Sequence, residues 1–322
     1  MNADALLTPA VRAALGLASP GGRRARLSTL IFHRVLPAPD PLLPGDPDAA
    51  TFRWQMRTLA RHFNVLPLGE AVRHLREGSL PPRAACVTFD DGYADNLTIA
   101  APILRELGLP ATFFIATGYL DGGRMFNDTL IELARRLPGE QCDLSALGLG
   151  SHPLASAADR HKLVGVLVSH FKYQPPGTRL QAAEALAASF GVTLPDDLMM
   201  SSAQLRELRA LGMEIGGHTN SHPILARQDL AAAEQEIRLG KARLEEILGE
   251  SPRLFAYPNG RKGKDYTEEH VALARACGFD AAVSTNYGAA SADSDPYQLP
   301  RFTPWDKTPG RFALRLLRNL YH

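Results

Sequence analysis

Short apolar runs alternate with helix-period segments along most of this 322-residue chain, and that alternation restricts the fold more than any other feature. The runs are LSTLIFH (27–33), ACVTFD (85–90), ATFFIAT (111–117), MEIGGH (213–218), RLFAYP (253–258), DAAVST (280–285) and YQLPRF (297–302). Each is rich in β-branched or aromatic residues and reads as a strand. Because they are continuously apolar, both faces of the sheet must be covered, as in a parallel sheet under helices. FRWQMRTLARHF, GEAVRHLREG, NLTIAAPILRELG, SAQLRELRALG, DLAAAEQEIRLGKARLEEILG and EEHVALARACG supply those helices, several ending at a glycine that suits a C-cap. About seven strands in this rhythm predict an α/β fold, a closed or nearly closed (β/α) barrel.

Residues 121–200 break the rhythm. They hold no good strand, several glycines and prolines, and helical pieces such as NDTLIELARRL and LQAAEALAASF. We expect a helical insertion there, a lid over the barrel mouth. The expected organisation is an N-terminal extension (1–26) and one barrel domain (27–322) carrying that insertion. With 45% hydrophobic residues the chain can fill one large core.

Lys plus Arg total 35 against 34 Asp plus Glu, so the net charge of +1 gives no electrostatic case for nucleic acid or an anionic membrane. Three cysteines, Cys86, Cys142 and Cys277, form no Cys-x-x-Cys pair and read as reduced structural thiols. The N-terminal arginines follow the mildly apolar stretch, the reverse of a secretory signal, so a cytoplasmic location is expected. The apolar run LVGVLV (163–168) is far shorter than the roughly 20 residues a membrane span needs. Residues 6–17 are weakly amphipathic and the C-terminal RLLRNLYH is basic and apolar; each reads as a helix docked on the domain or as a peripheral membrane contact. There is no Gly-x-Ser-x-Gly elbow and no phosphate-binding P-loop.

In a (β/α) barrel the reacting groups sit at the C-terminal ends of strands. VTFDDGYADN places Asp90 and Asp91 there, either as caps for the helix near Asn96 or as a pair turned into one cavity by Gly92. GGHTNSHP sets His218 and His222 four residues apart after another strand. Two imidazoles at that spacing can share one metal ion with a carboxylate from elsewhere. Asp91, His218 and His222 then form a ligand set, and Asp90 is left to take a proton from water. YPNG ends a further strand, where the Asn259 N–H can face an oxyanion or simply make a turn. His33, in LIFHRV, is a proton donor for a leaving amine or a buried structural histidine.

These residues resemble the polysaccharide deacetylase family, carbohydrate esterase family 4. TFDDG (88–92) is similar to its first motif, HTNSH (218–222) to its second and YPNG (257–260) to its third, and the likeness spans about 27–120 and 200–305. The resemblance implies a distorted (β/α)7 barrel and metal-dependent removal of acetyl groups from N- or O-acetylated sugars. It makes Asp90 the base and Asp91, His218 and His222 the metal ligands. Two positions depart from the common pattern: Ala256 stands where an arginine is usual, and LPRF replaces the C-terminal Leu-x-His motif. Both departures resemble the exopolysaccharide branch, poly-N-acetylglucosamine deacetylases among them, with permuted motif order. On that reading His33 is the general acid and Arg301 takes the place of the missing arginine beside Asp90.

The expected cofactor is a divalent metal, zinc first, with cobalt, nickel or iron admitted by the same donors. The expected substrate is a neutral to mildly polar N-acetylated polymer or oligosaccharide, met by aromatic faces drawn from Trp54, Tyr93, Phe126, Tyr257, Tyr287 and Trp305. A lipid-linked or nucleotide-linked precursor at the inner membrane face would reconcile exopolysaccharide chemistry with a cytoplasmic chain. Competing readings are an O-acetyl esterase or other amide or ester hydrolase, and a catalytically silent sugar-binding barrel. Binding alone needs no free base beside a metal ligand, which counts against the last. His152, in SHPL, lacks a histidine four residues before it. GRKGK (260–264) reads as a solvated loop.

Overall fold

The computed structural model describes residues 3–322; the side chains of residues 1–10 and of Pro176, Leu6 of the expected amphipathic stretch among them, lie outside that description. Nine strands form among the described residues: β1 (Leu27–Phe32), β2 (Asn64–Val65), β3 (Ala84–Phe89), β4 (Thr112–Ile115), β5 (Gln141–Asp143), β6 (Ser151–Pro153), β7 (Glu214–Gly217), β8 (Leu254–Ala256) and β9 (Ala281–Val283). β1, β3, β4, β7, β8 and β9 lie side by side in that order, all parallel, with two-residue β2 on β3 beside β4. The sheet curls until its outer strands face each other.

The seventh expected strand, 297–302, is not a regular strand. Pro300 offers no N–H, so the segment touches each neighbour through only a few bonds. Leu299 exchanges bonds with β9 and its extension, donating to Ala282 O (3.0 Å) and accepting from Ser284 N (2.8 Å). Phe302 does the same with β1, donating to Thr29 O (3.0 Å) and accepting from Ile31 N (3.1 Å). These pairs close the barrel.

Strand residues pack in two sets because side chains alternate across a strand. Cys86, Phe114, Ala256 and Val283 fill the interior with Leu299, and the helix Leu68–Glu77 packs onto the strand-start residues Leu27, Ala84, Leu254 and Ala281. Val87, Phe89, Phe113 and Ile115 point the other way, against helix residues Phe52, Met56, Ile103 and Leu205. Those helices begin at built caps. Asp48 accepts from Thr51 N (2.9 Å), Ser201 and Gln204 form a capping box, and Asp229 accepts from Ala232 N (2.8 Å). The helix Ala3–Ala18 docks by Leu15 beside Phe312 and Leu316 of the C-terminal helix Pro309–Asn319 and beside Leu320 just after it, while Leu17 is exposed.

The segment 121–200 is mainly helical, at Phe126–Arg136, Ala157–Phe171 and Pro176–Ser189, around its own cluster of Leu130, Leu133, Leu163, Leu167 and Ala183. It also contains a strand pair that the sequence reading missed, β5 antiparallel to β6. Three residues on each arm are too few to show alternation. Among the described residues, no helix is long and apolar enough to cross a membrane.

Candidate functional site

Loops from three staves of the barrel meet at the C-terminal ends of the strands. After β3 the chain turns through Asp90, Asp91 (φ +78°) and Gly92 (φ +94°). After β7 come His218, Thr219 (φ +65°) and His222 (φ +51°), and after β8 comes Asn259 (φ +58°). A left-handed backbone at a non-glycine residue costs on the order of 1–3 kcal/mol, most of all at a β-branched residue such as Thr219. Six such residues occur in the described chain, and four of them stand around this one cleft.

The strained 218–222 loop is held from two sides. Glu236, on the helix Leu230–Leu248, accepts from Asn220 N (3.1 Å), Ser221 N (2.7 Å) and Ser221 Oγ (2.7 Å). That helix comes so near that a Cβ on Gly240 would lie 2.6 Å from the Thr219 carbonyl. On the opposite side Gly118 N donates to Asn220 O (2.8 Å) and Tyr119 Oη to Ser221 O (2.8 Å). None of Glu236, Gly240, Gly118 or Tyr119 was legible as a site residue, because each acts on the loop's backbone and carries no motif.

Ligand atoms of Asp91, His218 and His222 all lie within 4.8 Å of one another. His218 Nε2 and His222 Nε2 each stand 3.5 Å from Asp91 Oδ1. His218 donates Nδ1–H to Ala256 O (2.7 Å), which fixes the tautomer and leaves the Nε2 lone pair facing the aspartate. Burial outweighs the neighbouring Asp91 carboxylate and pushes the His222 pKa down to about 4, so this ring is neutral near pH 7. Burial acts against ionisation of Asp91, but the two imidazoles that face its carboxylate, His218 foremost, carry its pKa well below the usual carboxylate range. Asp91 Oδ1 is buried without a geometrically sound hydrogen bond. An orphaned carboxylate oxygen between two imidazole Nε2 atoms fits a divalent cation.

Asp90 lives differently. Arg301, 1% exposed, donates Nη1 to Asp90 Oδ1 (2.7 Å) and Nη2 to Oδ2 (2.8 Å), while its Nε meets Ser284 O (2.9 Å) and its Nη1 also meets Thr88 Oγ1 (3.1 Å). Burial would raise the Asp90 pKa; the guanidinium, aided by His218, outweighs it and keeps the pKa low. Asp90 therefore holds its charge although it is buried, with Oδ2 only 3.9 Å from His218 Nε2. Neither aspartate caps the helical segment that starts at Asn96; Asp95 is the residue that precedes it. Arg301 itself does not reach the cleft surface and lies one layer beneath Asp90.

The cleft encloses about 570 Å³. His33, Asp90, Asp91, His218, His222 and Asn259 line its barrel side, and Phe126, Asp128, Lys172 and Arg179 reach it from the 121–200 segment. His33 and Asn259 are exposed there, so the buried structural alternative for His33 does not hold. The Asn259 carbonyl accepts from Thr285 Oγ1 (2.5 Å), which pins the turn. Two further acids border the cleft. Burial raises the pKa of Asp46 to about 6, against the charges of His33 and Arg34. It raises that of Asp128, which accepts from Tyr93 Oη at 3.2 and 3.1 Å, to about 7.

Of the expected aromatic platforms, Tyr93, Phe126 and Trp305 line the cleft. Tyr257 does not: it is wholly buried, stacked on Tyr266 at 3.9 Å, with its hydroxyl donated to Tyr297 O (3.0 Å). Trp54 packs edge-on against Phe312 in the core, and Tyr287 stands beside Phe302 and His322, away from the cleft. His152 lies in β6, its Nε2 bonded to Leu149 O (2.9 Å), and takes no part in the site.

A sequence profile of polysaccharide deacetylases matches residues 77–163 and 166–282. The protein YxkH of Bacillus subtilis (strain 168), described as a putative polysaccharide deacetylase, is 21% identical over 278 residues, which span 86% of this chain and 71% of YxkH. Among solved structures, the Streptococcus pyogenes deacetylase PplD in complex with acetate aligns with a TM-score of 0.60 at 19% identity, over 92% of this chain and 98% of that one. IcaB from Ammonifex degensii aligns with a TM-score of 0.59 at 19% identity, over 94% and 99%. The BpsB deacetylase domain from Bordetella bronchiseptica gives 0.54 at 19%, over 86% and 95%. At such identities these likenesses establish the fold.

Proposed function

This chain belongs to the polysaccharide deacetylase family, and we propose that it is a metal-dependent hydrolase that cuts the acetyl amide bond of an N-acetylated glycan. The observation that supports this most strongly is the division of labour between two adjacent carboxylates. Asp91 faces two imidazole Nε2 atoms, and Asp90 is gripped by a buried guanidinium. Residues 27–322 would form the catalytic domain, with 121–200 as an insertion and 1–26 as an extension.

Asp91, His218 and His222 would hold the cation, zinc first on the chemistry of a two-histidine, one-carboxylate set. When bound, that ion supplies Lewis acidity for the acetyl carbonyl and for the attacking water. The remaining work falls to the chain. Asp90, kept ionised and oriented by Arg301, takes the proton of the attacking water. The Asn259 N–H donates to the oxygen that gains charge as the new C–O bond forms. His33 gives a proton to the sugar nitrogen as the C–N bond breaks, and acetate and the free amine leave. An exopolysaccharide, or its oligosaccharide or lipid-linked precursor, is the finer reading, supported by an exposed His33 in the cleft ahead of the Asp pair in sequence.

Metal content and turnover separate the roles. Asp90→Asn should keep the parent's metal stoichiometry and lose turnover by about 10²–10⁴-fold, the range for a positioned base. Asp91→Asn and His222→Ala should lose metal. Unaltered stoichiometry in that second pair overturns the ligand set.

A further inference from the structure

The cleft continues past the candidate metal ligands. It shares Lys172, Arg179 and Ile224 with one hollow of about 360 Å³, and Lys172, Ile224, Asn259 and Arg261 with another of about 290 Å³. Together they make one groove between the 121–200 segment and the loops that follow β7 and β8. Its charge differs from that of the cleft centre. Asp46, Asp90, Asp91 and Asp128 crowd the centre with Arg34 beside them, whereas the extensions present Arg227 and Lys264 together with Lys172, Arg179 and Arg261, which stand where they join the cleft. None of these five cations forms an ion pair among the described residues. The acid in the lining of the extensions, Asp265, is buried, and its Oδ2 accepts from Arg261 N (3.0 Å).

Arg179 is the telling member. It is only 6% exposed, stacks over the Phe126 ring at 4.3 Å, and has the Tyr119 hydroxyl and the carbonyls of Lys172 and His222, each carbonyl at 3.4 Å, as its polar neighbours, none of them an anionic carboxylate. A cation taken out of water without a counter-ion is costly, and the cost is recovered where a ligand brings the opposite charge. Arg179 stands where the cleft and the larger hollow join. Guanidinium groups suit oxyanions because their donors form a planar fork.

We propose that this groove binds an anionic group on the sugar next to the acetylated one, so that the substrate is an acidic N-acetylated glycan bearing a carboxylate or a phosphate. The proposal rests on the deacetylase reading above and replaces the expectation of a neutral sugar. The GRKGK loop, which supplies Arg261 and Lys264, becomes part of a binding surface.

Acetate release from three N-acetylated oligosaccharides of equal length tests it: one neutral, one containing a uronic acid and one containing a sugar phosphate. At low ionic strength, kcat/KM for at least one charged substrate should exceed that for the neutral one by about tenfold or more, and salt should shrink the ratio. The exposed triple variant Arg227→Ala/Arg261→Ala/Lys264→Ala should bring the ratio towards one, mainly through KM. Arg179→Met should do the same and Arg179→Lys should restore part of it. Whichever charged arm is preferred identifies the anion. Equal rates on all three substrates, or a preference untouched by the triple variant, overturns the proposal. Should no glycan release acetate, the deacetylase reading falls and the groove is judged by calorimetry with the deacetylated acidic oligosaccharides. Saturable binding that the triple variant loses supports it, and no binding overturns it.

Discussion

Two arginines are buried by the cleft, Arg301 beneath its barrel wall and Arg179 in the wall that the 121–200 segment builds. On the barrel wall, Arg301 spends its charge inside the protein, with both terminal nitrogens on Asp90 and its Nε on Ser284 O. On the wall built by the 121–200 segment, Arg179 has an aromatic face, the Tyr119 hydroxyl and two distant carbonyls, and no carboxylate among the described residues. The first arrangement fixes a neighbour in place and keeps it ionised. The second leaves a positive charge free for whatever enters. Burial alone therefore says little about an arginine's purpose, and its partners say most of it.

Breaking Arg301 should have the larger effect. Arg301→Met leaves Asp90 buried without its counter-ion, a loss of about 3–5 kcal/mol in stability for a broken buried pair. Turnover should fall about 10²-fold or more as the base loses its orientation. Thermal unfolding and acetate release measure both, and near-parental turnover in a folded variant contradicts the role given to Arg301.

Replacing the other arginine should move stability the opposite way. Arg179→Met keeps an apolar stem against Phe126 and removes an uncompensated charge, so the fold should be unchanged or more stable by up to about 1 kcal/mol. A loss as large as that of Arg301→Met in the same melting experiment would show that Arg179 is structural, and the contrast between the two walls would collapse.

The barrel wall was far more legible in the sequence than the wall opposite. Apolar runs that end in Asp-Asp-Gly, His-x-x-x-His and Tyr-Pro-Asn-Gly mark strand ends because strand ends are where a parallel barrel exposes its reactive groups. Arg301 was expected near Asp90 from its place in LPRF, and the two are joined by a bidentate contact. The run 297–302 misled as a strand because Pro300 interrupts its ladder. Tyr257 misled as a sugar platform because the loop that follows it folds back and buries it against Tyr266, a stacking that no local pattern announces. Arg179 could not be read at all. It lies in a helix with no motif, and its isolation arises from packing of Phe126, Tyr119 and the 218–222 loop, which only the fold brings together.

Acetate release from an N-acetylated oligosaccharide, followed with and without a chelator, tests the central claim most directly. We predict release by the metal-loaded protein, loss of release on chelation, and recovery when a divalent cation is restored. Failure to release acetate from any N-acetylated sugar, or release that a chelator leaves untouched while the metal is shown to be gone, would contradict the account.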